Sequence, residues 1–529
     1  MKKNKALSWI GISLFVWGSM TACDDGSLDH DDVYIPDPVE ESDEDDGYSS
    51  EPTTQSVLRI QLGADHEHQT IQGFGCAFCG WAASTYTSTQ RTQIMEDLFG
   101  EDGLNFNIFR GEVYPSYMYP DGNYDFGMDR TYQLPPNDPT LIDDYWGEFN
   151  GESSGLQMQL AQMWLVDYLQ KKNRDDIYYF FSVWSPPGQW KKDIPDPTKP
   201  LLGGWFNEEA NAEYAKFLVD FMKAYRDKFG INIYGISGWN EPTRDMGGWA
   251  SCRWNEEMMA DFVHNHLRPQ MNASGFNDTK IIYAEPAWWS DAVSFMKNTF
   301  NGPIDITGDN IVAAGHAYSS APNSMEEIEI PEGHDIPVWL TETCDDKSRN
   351  ESWEDAMKWA SWYQGYLSDI QMNALVWWAG ARNCSTTGEN LLQMDGELPS
   401  MSYYPVGRYY SIGQFSKWIA RGMKRVDVEK VSDKKNKIPK DLTASAYVNG
   451  DTYTIVIVNG SKKDACETLL EIEGKSFKNM ISYTSSESVK WLRKKQNPSL
   501  SGKRSIVIPK YSVVTITGKF TDSVPDAGK

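Results

Sequence analysis

The sequence is poor in the residue types that hold metals and bind nucleic acids. It has only seven histidines in 529 residues, and no closely spaced pair of them faces a predicted site, which argues against a zinc enzyme. Lysine and arginine number 49 against 75 aspartates and glutamates, so the formal charge of −26 disfavours a nucleic-acid partner. Gly73 and Gly75 lack the third glycine and following helix of a dinucleotide-binding loop. The sequence therefore predicts neither a metal nor a cofactor.

Cysteine is also scarce, with seven in the chain. Cys76 and Cys79 have the spacing of a metal or redox pair, but no second pair or histidine cluster accompanies them, which favours buried apolar thiols. Cys252, Cys344 and Cys384 could lie close together and form disulfides in an oxidising compartment, and the sequence leaves their pairing open.

The one long apolar run lies near the N-terminus. Residues 6–20 follow three lysines and are too few to span a bilayer comfortably, as in an export signal. Ser19-Met20-Thr21-Ala22-Cys23 then resembles a bacterial lipoprotein cleavage box. We expect cleavage after residue 22 and lipidation of Cys23. The alternative is an ordinary secretory signal with an incidental cysteine.

Residues 23–53 form an acidic stretch. Residues 24–46 hold 12 acidic side chains and no lysine or arginine, so this stretch is expected to be an unfolded, self-repelling tether. Asp24 and Asp25 resemble the acidic surface-export signal of Bacteroidetes lipoproteins. We therefore expect a lipid-anchored protein on the cell surface or the periplasmic face of the outer membrane, which touches the membrane only through its lipid.

Between about residues 70 and 415, short apolar runs alternate with longer helical patterns such as 211–229 and 353–367. The predicted strands are 71–78, 105–110, 178–184, 233–239, 280–285, 311–316, 337–341 and 373–378. Eight such β/α units predict an α/β fold of the (β/α)8 TIM-barrel type, although spacing alone does not exclude a doubly wound sheet. After residue 420, short alternating runs with glycine and lysine turns predict an appended antiparallel β-sandwich.

Three carboxylates follow directly on predicted strands. Glu241 ends the run 236–241 and is followed by a proline that stops the strand, and Glu342 ends a similar run. Glu285 fits the pattern less tightly and is expected to line the site. Catalytic groups of a barrel lie at the C-terminal ends of its strands, and cleavage of a glycosidic bond requires two carboxylates. One such glutamate alone is more often a structural ion pair, but one after the fourth strand and one after the seventh favour a catalytic pair.

Together these motifs resemble glycoside hydrolase family 30, whose clan has its acid/base after strand four and its nucleophile after strand seven. The resemblance spans about residues 57–518. It rests on Gln72-Gly73-Phe74-Gly75, residues 104–110, Trp184-Ser185-Pro186-Pro187, Asn240-Glu241-Pro242, His316-Ala317-Tyr318, Thr341-Glu342, Trp377-Trp378 and Gly413-Gln414-Phe415-Ser416.

The resemblance implies a retaining mechanism. Glu342 is expected to be the ionised nucleophile, and Glu241 the acid/base, kept protonated at rest by burial and nearby negative charge. Their carboxyl groups should lie about 5–5.5 Å apart. Arg110 and Tyr318 are expected to hydrogen-bond Glu342, and Asn240 to contact the sugar 2-hydroxyl.

Some of these assignments have alternatives. Arg110 could instead form a barrel-core ion pair, and His316 is as readily a structural histidine as a substrate contact. About half of the loop tryptophans are expected to pack in the core, with Trp249 and Trp289 as sugar platforms at the rim. The expected substrate contacts are Arg110, Trp184, Asn240, Glu285, His316, Tyr318, Trp377 and Trp378.

The sequence also departs from the family pattern. Trp239 stands where the family often has glutamine, and residues 420–422 replace the usual Arg-Pro-Gly. Members that cleave glucuronoxylan carry two adjacent arginines after the eighth strand, where this chain has Ala381 and Arg382. Recognition of a carboxylate-bearing side chain is therefore doubtful.

The sequence thus predicts a monomeric, endo-acting hydrolase of a β-linked polysaccharide. Xylan is favoured by the tryptophan pair and by the end of the sandwich, and a β-1,6-glucan or galactan is the alternative because the loop 383–404 is long. A non-catalytic glycan-binding lipoprotein is the rival class, and the presence of both glutamates argues against it. We expect a signal peptide at 1–22, the tether at 23–53, a strand added to the sandwich at 54–68, the barrel at 69–418 and the sandwich at 419–520.

Overall fold

The computed structural model describes residues 52–522, apart from positions 85, 87, 116–153, 309, 319, 383–385, 396–401, 432–438, 473 and 497–502. The predicted signal peptide, the lipidation site Cys23 and Cys384 therefore lie outside the described residues, as does the tether up to residue 51.

Eight parallel strands close into a barrel in which neighbours along the chain are neighbours in space. They are β1 (Gly73–Ala77), β2 (Ile108–Glu112), β3 (Tyr178–Ser182), β4 (Ile233–Ser237), β5 (Lys280–Ala284), β6 (Ile311–His316), β7 (Val338–Glu342) and β8 (Ala374–Trp378). The predicted (β/α)8 barrel is confirmed. The second strand begins three residues later than predicted, because Asn105 has a φ of 50°, which no regular strand adopts.

Helices lie between the strands. They span Gly80–Ala83, Ser88–Phe99, Ser154–Lys171, Asn211–Phe229, Glu256–Asp261, Arg268–Ala273, Trp289–Phe300, Trp353–Ser368 and Gly407–Ser416, with a π-helical turn at Phe262–Leu267. Gly230 ends the fourth of these in the left-handed conformation that favours glycine, and the Ser352 side chain caps Trp353–Ser368 by accepting from a backbone N–H. Within the described residues, no helix combines the length and apolar character that a bilayer span requires.

Aromatic side chains fill the N-terminal end of the barrel. The ring of Tyr234 stacks on Tyr178 with centroids 3.9 Å apart and on Trp339 with centroids 5.2 Å apart. Phe180 and Val376 are buried in the same cluster. The barrel is therefore a packed core, and its C-terminal end is left to carry polar side chains.

Two further sheets form the side domain. The smaller has the strand order Val428–Val431, Thr54–Ile60, Cys466–Ile472 and Lys503–Ile508. The larger has the order Glu67–Thr70, Lys424–Val426, Leu442–Asn449, Thr452–Asn459, Ser512–Asp522, Lys475–Ser485 and Leu492–Lys495. One pair, Thr54–Ile60 with Cys466–Ile472, is parallel, which is possible because the whole barrel separates these strands along the chain.

The helix Gly407–Ser416 joins the barrel to the side domain. The side chain of Gln414 donates to Ser485 Oγ at 2.7 Å, and Thr515 Oγ1 donates to the Gln414 carbonyl at 2.7 Å, both in buried surroundings. The two parts are thereby held by hydrogen bonds that water does not screen.

The cysteines of the described residues, Cys76, Cys79, Cys252, Cys344 and Cys466, are all buried, and the thiol of Cys252 is free. A Cys252–Cys344 disulfide, which the sequence left open, is therefore not formed. Burial raises the pKa of the Cys252 thiol to about 12, so it stays protonated and unreactive at neutral pH.

Candidate active site

The ends of two neighbouring strands are tied together by the backbone. Glu241 lies four residues beyond the end of β4, and Glu285 directly follows β5. Both have left-handed backbones, with φ of 51° and 52°, which costs a residue with a side chain about 1–2 kcal/mol. The Glu241 N–H donates to the Glu285 carbonyl at 2.9 Å, and the Glu285 N–H donates to the Ala314 carbonyl at 3.1 Å. These bonds hold both glutamates in an otherwise unfavourable conformation.

A register shift places Glu342. Gly315 of β6 pairs with Leu340 of β7, but the next residue, His316, pairs with Glu342, so one residue of β7 is passed over. Such irregularities re-aim a side chain relative to the regular alternation of a strand. Glu342, the last residue of β7, thereby joins the same cluster as Glu241 and Glu285.

The two oxygens of Glu342 accept hydrogen bonds from different donors. Arg110 Nη1 donates to Oε2, and the Tyr318 hydroxyl donates to Oε1. Burial is the largest influence on this carboxyl and raises its pKa, while the positive charges of His316 and Arg110 act in the opposite direction. Burial outweighs them, so the pKa of Glu342 lies above the usual value for a glutamate, and the two direct donors and two cations limit that rise.

Glu285 forms a buried ion pair with Arg110. Arg110 Nη2 lies 3.3 Å from Glu285 Oε1, and Ser182 Oγ donates to Glu285 Oε2 at 2.7 Å. Burial opposes ionisation of Glu285, but Arg110 and His316 outweigh it and lower its pKa to about 2. The side chain of Glu285 is 0% exposed, so the expectation that it contacts substrate is wrong: it is paired with Arg110 instead.

His316 lies among three carboxylates. Its Nδ1 is 3.2 Å from Glu241 Oε1, and its Nε2 is 3.7 Å from Glu342 Oε2 and 3.9 Å from Glu285 Oε1. Burial opposes protonation, but the negative charges outweigh it and raise the pKa of His316 to about 9. The ring is therefore an imidazolium at neutral pH, with no exposed surface to offer a substrate.

The polar atoms of Glu241, His316 and Glu342 lie close enough to act on one atom. One oxygen of each glutamate and one ring nitrogen lie within 4.8 Å of one another. Carboxyl groups about 5–5.5 Å apart characterise retaining glycosidases, whereas inverting enzymes need about 6.5–9.5 Å. The same three groups form a possible metal-ligand set, but an imidazolium has no lone pair for a metal, and Arg110 already supplies positive charge.

Three tryptophan rings stand beside the cluster. The Arg110 guanidinium carbon is 4.8 Å from the ring centroid of Trp184, whose ring lies 5.8 Å from that of Trp378. The ring of Trp81 also lies 5.8 Å from that of Trp378. Asn240 accepts from Arg110 at 2.7 Å through its side-chain oxygen. Arg110, Trp184, Asn240, Tyr318 and Trp378 are therefore gathered around the two glutamates.

Two expected sugar contacts are wrong. Trp377 is 0% exposed and packs on Trp359 of helix Trp353–Ser368, with centroids 4.6 Å apart. Adjacent residues of a strand point to opposite faces, so only Trp378 of the pair faces the site. Trp289 is buried, and its indole donates to the Glu326 carbonyl at 2.8 Å, whereas its neighbour Trp288 is exposed.

Sequence reasoning missed three residues near the site. Ser182 could have been found from the alternation of β3, because it lies two residues before Trp184 on the same face. Trp81 lies in a short helix after β1. This helix carries no charged residue, so its sequence does not indicate a functional site. Arg244, three residues after Glu241, has its Nε 3.9 Å from Glu241 Oε2.

Comparison with known proteins identifies the family. The model of the glycosyl hydrolase family 30 TIM-barrel domain matches residues 71–389. Lysosomal acid glucosylceramidase of Mus musculus is 24% identical over 451 residues, which are 79% of this chain and 80% of the mouse protein. The GH30 xylanase C catalytic domain from Talaromyces cellulolyticus is 20% identical, with a TM-score of 0.65 over 88% of this chain and 100% of that one.

An endo-β-1,6-glucanase structure is 18% identical, with a TM-score of 0.60 over 89% of this chain and 96% of that one. At these identities, likeness to the solved structures shows the fold alone. The family model, in contrast, covers more than half of the sequence. The chain therefore belongs to glycosyl hydrolase family 30 and is an O-glycosyl hydrolase.

Proposed function

We propose that the protein is a retaining β-glycoside hydrolase in which Glu342 is the nucleophile and Glu241 the general acid/base. The observation that carries this proposal is the spacing of the pair, since an oxygen of each glutamate lies within 4.8 Å of the other. That gap leaves room for a sugar carbon but not for a sugar carbon and a water in line.

The charges of the cluster support this division of roles. Two cations, Arg110 and His316, lie among three carboxyl groups whose side chains are at most 8% exposed. Arg110 contacts Glu285 and Glu342 but not Glu241. Glu342 therefore has the two donors that stabilise a nucleophilic carboxylate, and Glu241, which Arg110 does not contact, is left to serve as the general acid.

The reaction then follows in two displacements. Glu342 attacks the anomeric carbon while Glu241 gives its proton to the leaving oxygen, so the glycosidic bond breaks and a glycosyl-enzyme ester forms. Glu241, now a carboxylate, takes a proton from water, which attacks the same carbon and releases Glu342. Asn240 accepts from Arg110 through its oxygen, which leaves its amide N–H groups to donate to the sugar 2-hydroxyl.

The stereochemistry of the first product tests the mechanism. Two displacements at one carbon restore its configuration, so NMR during early hydrolysis of a β-linked substrate should show the β-anomer first. An α-anomer formed first would refute the retaining mechanism while leaving family membership intact.

We propose an uncharged β-linked polysaccharide, cut within the chain, as substrate, with xylan as the first candidate. Arg382, the arginine that remains where glucuronoxylan-cleaving members have two, donates to Glu389 and is thereby already paired with a carboxylate. The rings of Trp184 and Trp378 offer apolar faces to a sugar. The family likeness that favoured xylan now rests on Trp378 and on the end of the sandwich, because Trp377 is buried behind the barrel.

A β-1,6-glucan is the second candidate, favoured by the loop after β8. Within it, Leu392–Asp395 pairs with Ser402–Pro405, and Thr387–Gly388 pairs with Asp345–Ser348 of the loop after β7. This structure enlarges the wall on that side of the barrel. A panel of xylan, β-1,6-glucan and β-1,6-galactan, with products sized over time, separates the candidates, and early ladders of oligosaccharides would show endo action. Binding to a polysaccharide without any cleavage would point to the non-catalytic rival.

We further propose that the protein works as a monomer held to the cell surface or outer membrane by lipid on Cys23. The charge of residues 24–46 supports an extended tether between that lipid and the barrel.

A further inference from the structure

Arg244 lies beside the proposed acid/base. Its backbone N–H donates to the Glu241 carbonyl at 2.9 Å, which forms a turn directly after Glu241. Its Nε lies 3.9 Å from Glu241 Oε2, and its side chain is 29% exposed. His316 contacts the other oxygen, Oε1. Arg244 and His316 therefore flank opposite edges of one carboxyl group.

Two indole rings accompany Arg244. Its guanidinium carbon is 5.9 Å from the ring centroid of Trp249 and 5.6 Å from that of Trp288. Trp249 comes from the same loop as Arg244, whereas Trp288 comes from the loop after β5. Trp288 is 43% exposed, which is unusual for so large an apolar side chain. Loops of two neighbouring strands thus present one cation and one open aromatic face next to Glu241.

The guanidinium has unused hydrogen-bonding capacity. An arginine side chain carries five N–H donors, and within the described part of the chain none of those of Arg244 makes a hydrogen bond. The 3.9 Å distance from its Nε to Glu241 Oε2 is too long for a hydrogen bond. The arrangement therefore offers donors to a ligand that sits against Trp288.

We infer that Arg244, Trp249 and Trp288 form the subsite for the first sugar on the leaving-group side, a conclusion that rests on the proposed function. Glu241 protonates the leaving oxygen, so the sugar bonded to that oxygen must lie next to Glu241. Glu342 and His316 occupy the side of the attacked carbon, and Arg244 lies across the carboxyl from them. The leaving sugar packs on Trp288, and its adjacent hydroxyls accept from Arg244.

The charge of the molecule favours an uncharged sugar over a uronic acid in this subsite. The chain carries a formal charge of −26, which repels an acidic polysaccharide as it approaches. Aromatic stacking with neutral hydrogen bonds therefore suits the site better than a new ion pair.

The test compares two substrates that share the cleaved sugar. One is an oligosaccharide of the polysaccharide that the enzyme cleaves best, and the other is a 4-nitrophenyl glycoside of the same sugar, which has no leaving-group sugar. In Trp288→Ala and Arg244→Met, kcat/KM for the oligosaccharide should fall about tenfold or more, but for the aryl glycoside less than about threefold. Trp164→Ala is the matched control, since Trp164 also lies against an arginine, Arg91, but on the outer helix Ser154–Lys171.

Transfer to added sugar gives a second readout. In the wild type, an added acceptor sugar should occupy the subsite and capture the glycosyl-enzyme, giving transfer products from the aryl glycoside, and Trp288→Ala should lose most of them. Equal losses on both substrates, or unchanged transfer in Trp288→Ala, would overturn the subsite. If the wild type preferred a uronic acid as the leaving group and Arg244→Met abolished that preference, the inference that the subsite binds an uncharged sugar would be wrong. Absence of any hydrolysis by the wild type would instead refute the proposed function on which it rests.

Discussion

The imidazole of His316 lies 3.2 Å from Glu241 through its Nδ1 and the Oε1 of the carboxyl group. The ring has no exposed surface, so its charge acts on the carboxylates around it rather than on solvent. This contact links the strand ends of β4 and β6 and makes the protonation of the site depend on one histidine.

The protonation of His316 should make the stability of the fold depend on pH. Its pKa is raised from 6.5 to about 9 in the folded state, so the folded protein binds this proton more tightly than the unfolded chain does. The resulting stabilisation is fully present below pH 6.5 and is lost as the pH rises through about 9. Urea unfolding across this range should show a falling free energy of unfolding, with a smaller fall in His316→Gln. Equal slopes for the two proteins would contradict the raised pKa.

Glu241→Ala should separate substrates by their leaving groups. Removal of the general acid should slow cleavage of the polysaccharide by about a hundredfold or more but spare the first step with a dinitrophenyl glycoside, whose leaving group needs no proton. Added azide should speed turnover of the latter by replacing activated water and should yield a β-glycosyl azide. Equal losses on both substrates without azide rescue would remove Glu241 from this role.

Glu285→Gln should destabilise the barrel, since it leaves the buried Arg110 with one carboxylate fewer. Breaking a buried ion pair by removing one partner costs about 3–5 kcal/mol in free energy of unfolding. Ser182→Ala is the milder control, because it removes one hydrogen bond to the same carboxylate and should cost about 1 kcal/mol. Losses of equal size would show that the charge of Glu285 does not stabilise Arg110.

Cys23→Ser tests the proposed anchor. The variant should cleave substrate normally but move from the membrane fraction to the soluble fraction of a host that lipidates it, because acyl chains would hold the wild type to the membrane. Expression in an Escherichia coli strain with an intact lipoprotein pathway, followed by fractionation, measures this. Unchanged fractionation of the variant would exclude lipid on Cys23 as the anchor.

Much of the fold could be predicted from local patterns. The eight predicted strands overlap the observed ones and end close to where these end. Glu241 and Glu342 can be found because each follows an apolar run. Such signals depend on only a few consecutive residues. The contacts of Glu285 with Arg110 and Ser182 could not be found in this way, because they join three different strands.

The errors among the tryptophans concern two pairs of neighbours. Trp377 and Trp378 are adjacent, as are Trp288 and Trp289, and in each pair one ring is buried while the other is at least partly open. In β8, alternation decides that one of Trp377 and Trp378 faces the site, but which one depends on the twist and register of the barrel. Trp288 and Trp289 lie where a loop passes into a helix, so strand alternation does not apply to them. Register is set by packing over the whole barrel, including the shift at Gly315 that brings Glu342 inward.

Covalent trapping of the nucleophile tests the central claim most directly. A 2-fluoro glycoside of the cleaved sugar with a good leaving group should form a glycosyl-enzyme that hydrolyses slowly, because the fluorine disfavours the positively charged transition states. Peptide mass spectrometry of the trapped protein should find the sugar on Glu342, and Glu342→Gln should remain unlabelled. A label on Glu241 or Glu285, or labelling of Glu342→Gln at the wild-type rate, would contradict the assignment.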